Sequence, residues 1–205
     1  MQHSKHPSDI NSLFNRIAPK YDGLNHLLSL GIDRIWRRKL VRALTPGTRD
    51  EIADIASGTG DMLLLFCREK SGRIIGIDPS ENMLARAKSK LNKKGCSRCH
   101  LIQASGESIP LASNSVDRIS IVFGIRNFSD LNTAFNEVFR ILRPGGRLGI
   151  LEFSLPRNHL VRFLYRFYLK HFIPVIGGVI SGEYRAYKYL ADSVIAFTKE
   201  VKPID

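Results

Sequence analysis

The chain predicts an open α/β sheet, mostly parallel and Rossmann-like, with helices on both faces. Three observations carry this. Short β-branched apolar runs alternate with longer segments of helical period between residues 51 and 153. A glycine-bearing turn follows the first run, and an acid closes the second. Strands separated by helices require right-handed crossovers, which make a parallel sheet buried on both sides.

Taken in order, residues 1–12 are polar and read as loose, and 13–46 read as a helical arm ending at Thr45-Pro46-Gly47. The run 51–56 (EIADIA) reads as a buried strand, 61–70 as a helix and 73–78 (RIIGID) as the second strand. Ser80 is placed to cap the next helix, expected over 80–94, with Glu81 near its positive amide end. Further strands are expected at 99–104, 117–123 and 147–153. A helix over 131–142 precedes the last, stopped by Arg143-Pro144-Gly145-Gly146. Residues 155–205 read as a helical C-terminal segment of the same single domain.

Composition bounds the function. A chain of 205 residues with 43% apolar content can bury a core without staples. Lysine and arginine number 31 against 19 acids, a net charge of +12 that attracts nucleic acid, an anionic membrane or an anionic substrate. The apolar stretch 172–180 is too short to span a bilayer, and residues 1–12 lack the apolar core of a leader, so a cytoplasmic protein is expected. Three cysteines in that setting are expected as reduced thiols.

A ligand of such a sheet sits outside the carboxyl ends of the strands. The first strand runs into Ala56-Ser57-Gly58-Thr59-Gly60-Asp61. Gly58 and Gly60 let the backbone turn sharply and let a ligand approach, though a tight turn without a ligand uses the same residues. The third glycine of a pyrophosphate loop is absent, so a dinucleotide fits poorly. Asp78, at the end of the second strand, stands where a carboxylate accepts the hydroxyls of an adenine-linked ribose. Gln103-Ala104-Ser105-Gly106-Glu107 follows the third strand and is placed to cover the adenine edge. Asp54 is placed to brace the glycine loop from beneath.

Longer motifs are more specific. Tyr21-Asp22-Gly23-Leu24-Asn25 with Ser29, Asp33 and Trp36, the stretch 140–154 (RILRPGGRLGILEFS) and Gly124-Ile125-Arg126-Asn127 together resemble the menaquinone/ubiquinone biosynthesis C-methyltransferases. The resemblance runs from about Phe14 to Leu190. It implies a class I S-adenosylmethionine-dependent methyltransferase fold and a methyl transfer to a ring carbon of a prenylated quinol, demethylmenaquinol or the matching benzoquinol. It implies S-adenosylmethionine as the methyl donor and carries Thr59, Asp78, Ser105 and Gly106 over as contacts; no metal is expected beside it, since a zinc site would need another ligand pair, and no haem. The sequence departs from the family at Ser57, Leu24, Asp33, Ser105 and Val122. Since an electron-poor quinone carbon would not attack a sulfonium, the reduced ring must be the acceptor. Arg126 then reads as a phenolate partner, with Asn127 orienting, or as a salt bridge holding its loop. Asp33, Tyr21 and Glu152 are candidates for the proton acceptor.

Rival readings are an RNA methyltransferase, one acting on another small molecule, or a non-catalytic homologue. Phe123-Gly124-Ile125-Arg126-Asn127 lacks the aromatic-proline grip on a flipped base, and nucleic acid is not expected as a partner. Cys96-Ser97-Arg98-Cys99-His100 has the haem-attachment spacing, but without a leader it reads as a turn with two reduced thiols. Residues 159–180 mix basic and aromatic residues at helical spacing, as a helix packed over the sheet or docked on an anionic membrane. Family members continue past the match to 187–190 into a helix and two antiparallel strands. A chain stopping at Asp205 is therefore expected to leave its fifth strand as an apolar edge and to self-associate.

Overall fold

The computed structural model describes residues 7–29, 31–69 and 71–200. Five parallel strands form one sheet in the order β3-β2-β1-β4-β5. They are β1 (Ile52–Ile55), β2 (Ile74–Asp78), β3 (Cys99–Gln103), β4 (Val116–Val122) and β5 (Leu142–Leu151). Connecting helices are α4 (Asp61–Arg68), α5 (Glu81–Lys93) and α6 (Leu131–Ile141). The order reverses at β1, whose neighbours β2 and β4 leave a crevice beyond their carboxyl ends.

Alternation along the strands decides what each face buries. Ala53, Ile55, Ile75, Ile77, Ile119 and Ile121 point to one face and pack on Val138 and Ile141 of α6. Ile52 and Ile74 point to the other, against Met62, Leu63 and Phe66 of α4. Val41 and Leu44 of helix α3 (Ile32–Leu44) join that second cluster. Ser80 caps α5 as expected, accepting a hydrogen bond from Met83 N at 3.2 Å.

Four local expectations are corrected. The polar stretch read as loose is helical from its seventh residue, since α1 spans Pro7–Ile17, while residues 1–6 lie outside the described residues. Proline has no N–H to lose in the first turn of a helix, so Pro7 starts one rather than blocking it. The arm over 13–46 is three helices, because Pro19 sits in a tight turn (Ala18–Lys20) before α2 (Tyr21–Leu28), and Gly31, with φ of 74°, reverses the chain before α3. The segment Arg143-Pro144-Gly145-Gly146 does not separate α6 from the last strand but lies inside β5, where the pairing shifts register between Val116 and Arg118. A bulge absorbs the residues that cannot ladder.

The fourth correction concerns the cysteines. Cys67 at the end of α4 and Cys96 before β3 are joined by a disulfide, and Cys99 Sγ lies 3.1 Å from Cys96 Sγ. The link closes 29 residues, a constraint on the unfolded chain of about 3–4 kcal/mol. The partner was illegible because Cys67 and Cys96 meet only when α4 and β3 pack on β2.

Residues 159–200 form α7 (His159–Phe167), a π turn (Tyr168–Phe172), α8 (Ile173–Ser181) and α9 (Tyr184–Glu200). Tyr187, Ala191 and Val194 of α9 pack with Ile17, Ala18 and Met83, so the two ends of the chain build one layer over the crevice. β5 is the end strand of the sheet. Helix α3 covers part of it, with Leu40 and Leu44 against Gly149, whereas Ile150 is 40% exposed.

Candidate active site

The crevice holds two adjoining cavities. The first is lined by Ala56 and Gly58 after β1, Asp78 at the end of β2 with Ser80 beyond it, Ser105 and Gly106 after β3, and Asn127 after β4. Phe14, Met83 and Phe128 supply apolar walls. The backbone is forced here. Ala56 and Phe123 both have a φ of 57°, and a Cβ on Gly124 would lie 2.4 Å from that of Ala56, so the ends of β1 and β4 meet where no side chain fits between them. Such strain persists only where the surroundings impose it, and it concentrates at functional sites.

Asp78 organises this mouth. Its Oδ2 accepts from Gly58 N at 2.8 Å and its Oδ1 from Ser80 N at 2.9 Å, which ties the glycine turn to the start of α5. Burial pushes its carboxyl up to about 6, against the pull of those two N–H groups. Each oxygen keeps a further lone pair for a ligand hydroxyl. With apolar walls for a purine, backbone amides at the turn and an acid for a ribose, the residues fit an adenosyl ligand of the S-adenosylmethionine type.

Other sequence-derived residues stand apart from this cavity. Asp54 pairs in register with Ser120 on β4 and accepts its hydroxyl at 2.5 Å, so it does not reach the glycine loop. Full burial pushes its carboxyl up to about 7, opposed by the Ser120 hydrogen bond. Thr59 is buried away from the cavity, donating to Asp22 of the N-terminal arm, and Lys90 Nζ bridges Thr59, Asp22 and Asp61. Gly60 takes a φ of 83° and opens α4. These residues fasten the arm to the loop. Asn15 does the same at α5, accepting from Ser80 Oγ at 2.6 Å. Gln103 is exposed and donates to Pro79 O, while Glu107 lines the cavity and accepts from Ser129.

The second cavity, of about 430 Å³, is mostly apolar. Trp36, Phe153, Tyr165, Tyr168, Leu169 and Ile173 form most of its wall. Tyr21 and Phe123 line both cavities and form the partition. Phe123 stacks on Phe153 with centroids 4.2 Å apart, and the Arg37 guanidinium lies 5.0 Å from the Phe123 centroid. Its charged residues are Asp33, Arg37 and Arg126. Arg126 is 2% exposed, donating from Nη1 to Glu152 Oε1 at 2.7 Å and to Phe123 O, and from Nε to Ser193 Oγ at 3.2 Å. It is thus both a loop anchor and a wall of the cavity. Glu152 Oε1 accepts from both Arg126 Nη1 and Phe153 N, which ties this carboxylate to the loop after β4. Asn127 faces the first cavity instead, and its Oδ1 accepts from Tyr189 at 3.1 Å. The side chains of Leu24 and Asn25 lie outside the described residues.

The motif around Asp33 signalled this region, but Arg37, His26 and the partition by Phe123 carried no local signal. They face the site only because α2, α3 and β4 converge on it.

A parallel sheet with an acid closing β2 and a glycine turn after β1 that lacks the third pyrophosphate glycine is the frame of the class I S-adenosylmethionine-dependent methyltransferases. The structural neighbours agree on the fold. The [4+2]-cyclase SpnF superposes with a TM-score of 0.70 at 17% identity, covering 94% of this chain and 91% of that one. An S-adenosylmethionine-dependent methyltransferase from Methanococcus maripaludis gives 0.63 at 20% identity, over 89% and 84%. The model of the ubiE/COQ5 methyltransferase family matches residues 1–202, and the chain belongs to that family. Among its relatives, the ubiquinone/menaquinone biosynthesis C-methyltransferase UbiE of Syntrophotalea carbinolica is 49% identical, over 92% of this chain and 79% of its own length. The demethylmenaquinone methyltransferase of Bacteroides fragilis is 40% identical, over 94% and 80%.

Proposed function

We propose that this methyltransferase transfers a methyl group to a ring carbon of a reduced, prenylated quinol, demethylmenaquinol or its benzoquinol counterpart. The observation that carries this reading is the adjacency of the two cavities through Tyr21 and Phe123. Bound S-adenosylmethionine supplies an electrophilic methyl group at a sulfonium centre. The residues of the first cavity orient it, and the apolar second cavity excludes water from an aromatic acceptor whose isoprenoid tail runs along Tyr165, Leu169 and Ile173. Arg126 and Arg37 favour the phenolate that activates the ring carbon, because fixed positive charge in a dry cavity costs no reorganisation. Holding methyl and carbon near van der Waals contact supplies much of the remaining rate. The test uses reduced and oxidised demethylmenaquinone with product mass as the readout. Dithionite-reduced substrate should be methylated and the quinone should not; equal rates for both overturn the reading.

The same helices support contact with an anionic membrane. α7 and α8 turn Tyr165 and Ile173 inward to the cavity, while Leu160 and Phe163, each 68% exposed, and Val179 at 81% face outward. Arg157, Lys170 and Arg185 are exposed on the same stretch of chain. Apolar side chains ringed by positive charge suit the headgroup boundary of anionic lipid. Among the described residues no helix is long and apolar enough to cross a membrane. In flotation assays the protein should rise with phosphatidylglycerol vesicles, and Phe163→Asp with Val179→Asp should abolish this. Equal flotation of the variant, or none by the wild type, refutes the contact.

A further inference from the structure

The geometry points to Asp33 and His26 as a proton relay that carries the acceptor's phenolic proton from the apolar cavity to a polar cleft on the far side of the α2–α3 turn. This rests on the quinol reading above. Among the described residues lining the apolar cavity, Asp33 carries the carboxylate. It is 2% exposed, and His26 Nδ1 stands 2.8 Å from its Oδ2. His26 does not line that cavity. It opens instead on a second, polar cleft of about 320 Å³, with its Nε2 3.6 Å from Asp61 Oδ2. The two side chains therefore form a hydrogen-bonded pair with one end at the substrate and the other near water.

The rest of the environment suits this task. Ser29 Oγ donates to Asp33 Oδ1 at 2.8 Å, and Arg37 Nε lies 3.4 Å from Oδ2. Burial works against ionisation of Asp33, but the hydrogen bonds from Ser29 and His26 and the charge of Arg37 oppose it, and its carboxyl sits below the ordinary range. Asp33 is thus ionised and ready to accept. A weakly basic carboxylate cannot hold a phenolic proton, so it must hand it on, and His26 is in contact to take it. In the step itself the ring O–H bond breaks and its electron pair stays on oxygen. Before the step His26 Nδ1–H donates to the ionised carboxylate, so the proton passes first to Asp33 alone, and a flip of the imidazole then turns its unprotonated nitrogen to the carboxylic acid. That nitrogen takes the proton while the nitrogen now facing the cleft releases its own, which returns a neutral ring that again donates to ionised Asp33. The imidazolium formed in passing lies between Asp33 and Asp61.

His26, Asp33 and Asp61 also have the spacing of a metal site. Arg34, Arg37, Arg38 and Arg68 surround the same cleft, and four guanidinium groups oppose a divalent cation more than two carboxylates attract one. Sequence reasoning reached Asp33 as one acid among three candidates and did not reach His26, since only the turn at Gly31 folds α2 back onto α3.

The experiment measures kcat and KM on a short-tailed demethylnaphthoquinol for wild type, Asp33→Asn and His26→Ala, with S-adenosylmethionine binding by calorimetry as the control for folding. Asp33→Asn should lower kcat about 10²–10³-fold and His26→Ala about tenfold or more, with cofactor affinity unchanged. Since the cleft opens to solvent, added imidazole should restore turnover to His26→Ala and not to Asp33→Asn. His26→Ala that keeps wild-type kcat overturns the relay. So does loss of activity that imidazole cannot rescue, or activity removed by a chelator and restored by a divalent cation. If Asp33→Asn fails to bind cofactor, the His26→Ala rescue alone decides. A wild type that turns over no reduced demethylquinone overturns the quinol reading, and the relay falls with it.

Discussion

Arg126→Ala should lower the unfolding free energy by about 3–5 kcal/mol, because it strands a buried carboxylate. Glu152 has a side chain only 7% exposed, and its Oε1 lies 2.7 Å from Arg126 Nη1. Removing the guanidinium leaves that charge without its partner and also leaves Phe123 O and Ser193 short of a donor. For a chain of this length the loss corresponds to roughly 10 °C in melting temperature. The pair is expected to be strongly coupled. Adding Glu152→Gln to Arg126→Ala should recover about 1–3 kcal/mol, since the neutral amide no longer needs a counter-charge. Additive losses in the double variant would show that the charge pair is not the source. Arg126→Lys is the sharper test of chemistry. An ammonium can meet Glu152 but not Phe123 O and Ser193 together, so stability should fall less than activity.

Asp78→Ala should weaken S-adenosylmethionine binding by about 2 kcal/mol or more, roughly thirtyfold in Kd, with the fold kept. The loss has two parts. The ligand loses its carboxylate acceptor, and the glycine turn loses the brace on Gly58 N. pH offers a check that a merely structural role would not move. Burial places the Asp78 carboxyl at about 6. The ionised form accepts two hydroxyls, whereas the protonated form gives up one of those sites, so affinity should fall as pH drops through that value, and Asp78→Asn should flatten the dependence. Stability runs the other way. A carboxyl raised above its unfolded value favours the fold fully below that unfolded value, near 4, and this contribution is lost as pH rises through the folded value. Asp54 at about 7 adds to the same trend. The ligand-free protein should therefore melt lower at neutral pH than near pH 5 as far as these two groups decide it. Calorimetric titrations at several pH values settle the first point, and thermal melts of wild type, Asp54→Asn and Asp78→Asn the second.

The division between sequence and tertiary structure runs along the range of the interactions involved. Strand runs such as 73–78, the cap at Ser80 and the glycine turn at 57–60 depend on neighbours a few residues away, and each lies within a residue or two of where local period and turn chemistry predict it. The motif residues Tyr21, Asp33, Arg126 and Asn127 were also legible as a set, because their spacing is long and specific. What each does was not. Arg126 and Asn127 are adjacent in the chain yet face different cavities. Asp54 lies two positions before Ala56 of the first cavity and is turned to Ser120 by the pleat. Thr59, in the loop itself, turns toward Asp22, 37 residues away. The disulfide, the Phe123 partition and the His26–Asp33 pair share that character. Local preference set the sheet and named the region of the site. Packing between elements far apart in the chain then chose each partner, because burial and charge pairing are settled only when the whole crevice has closed.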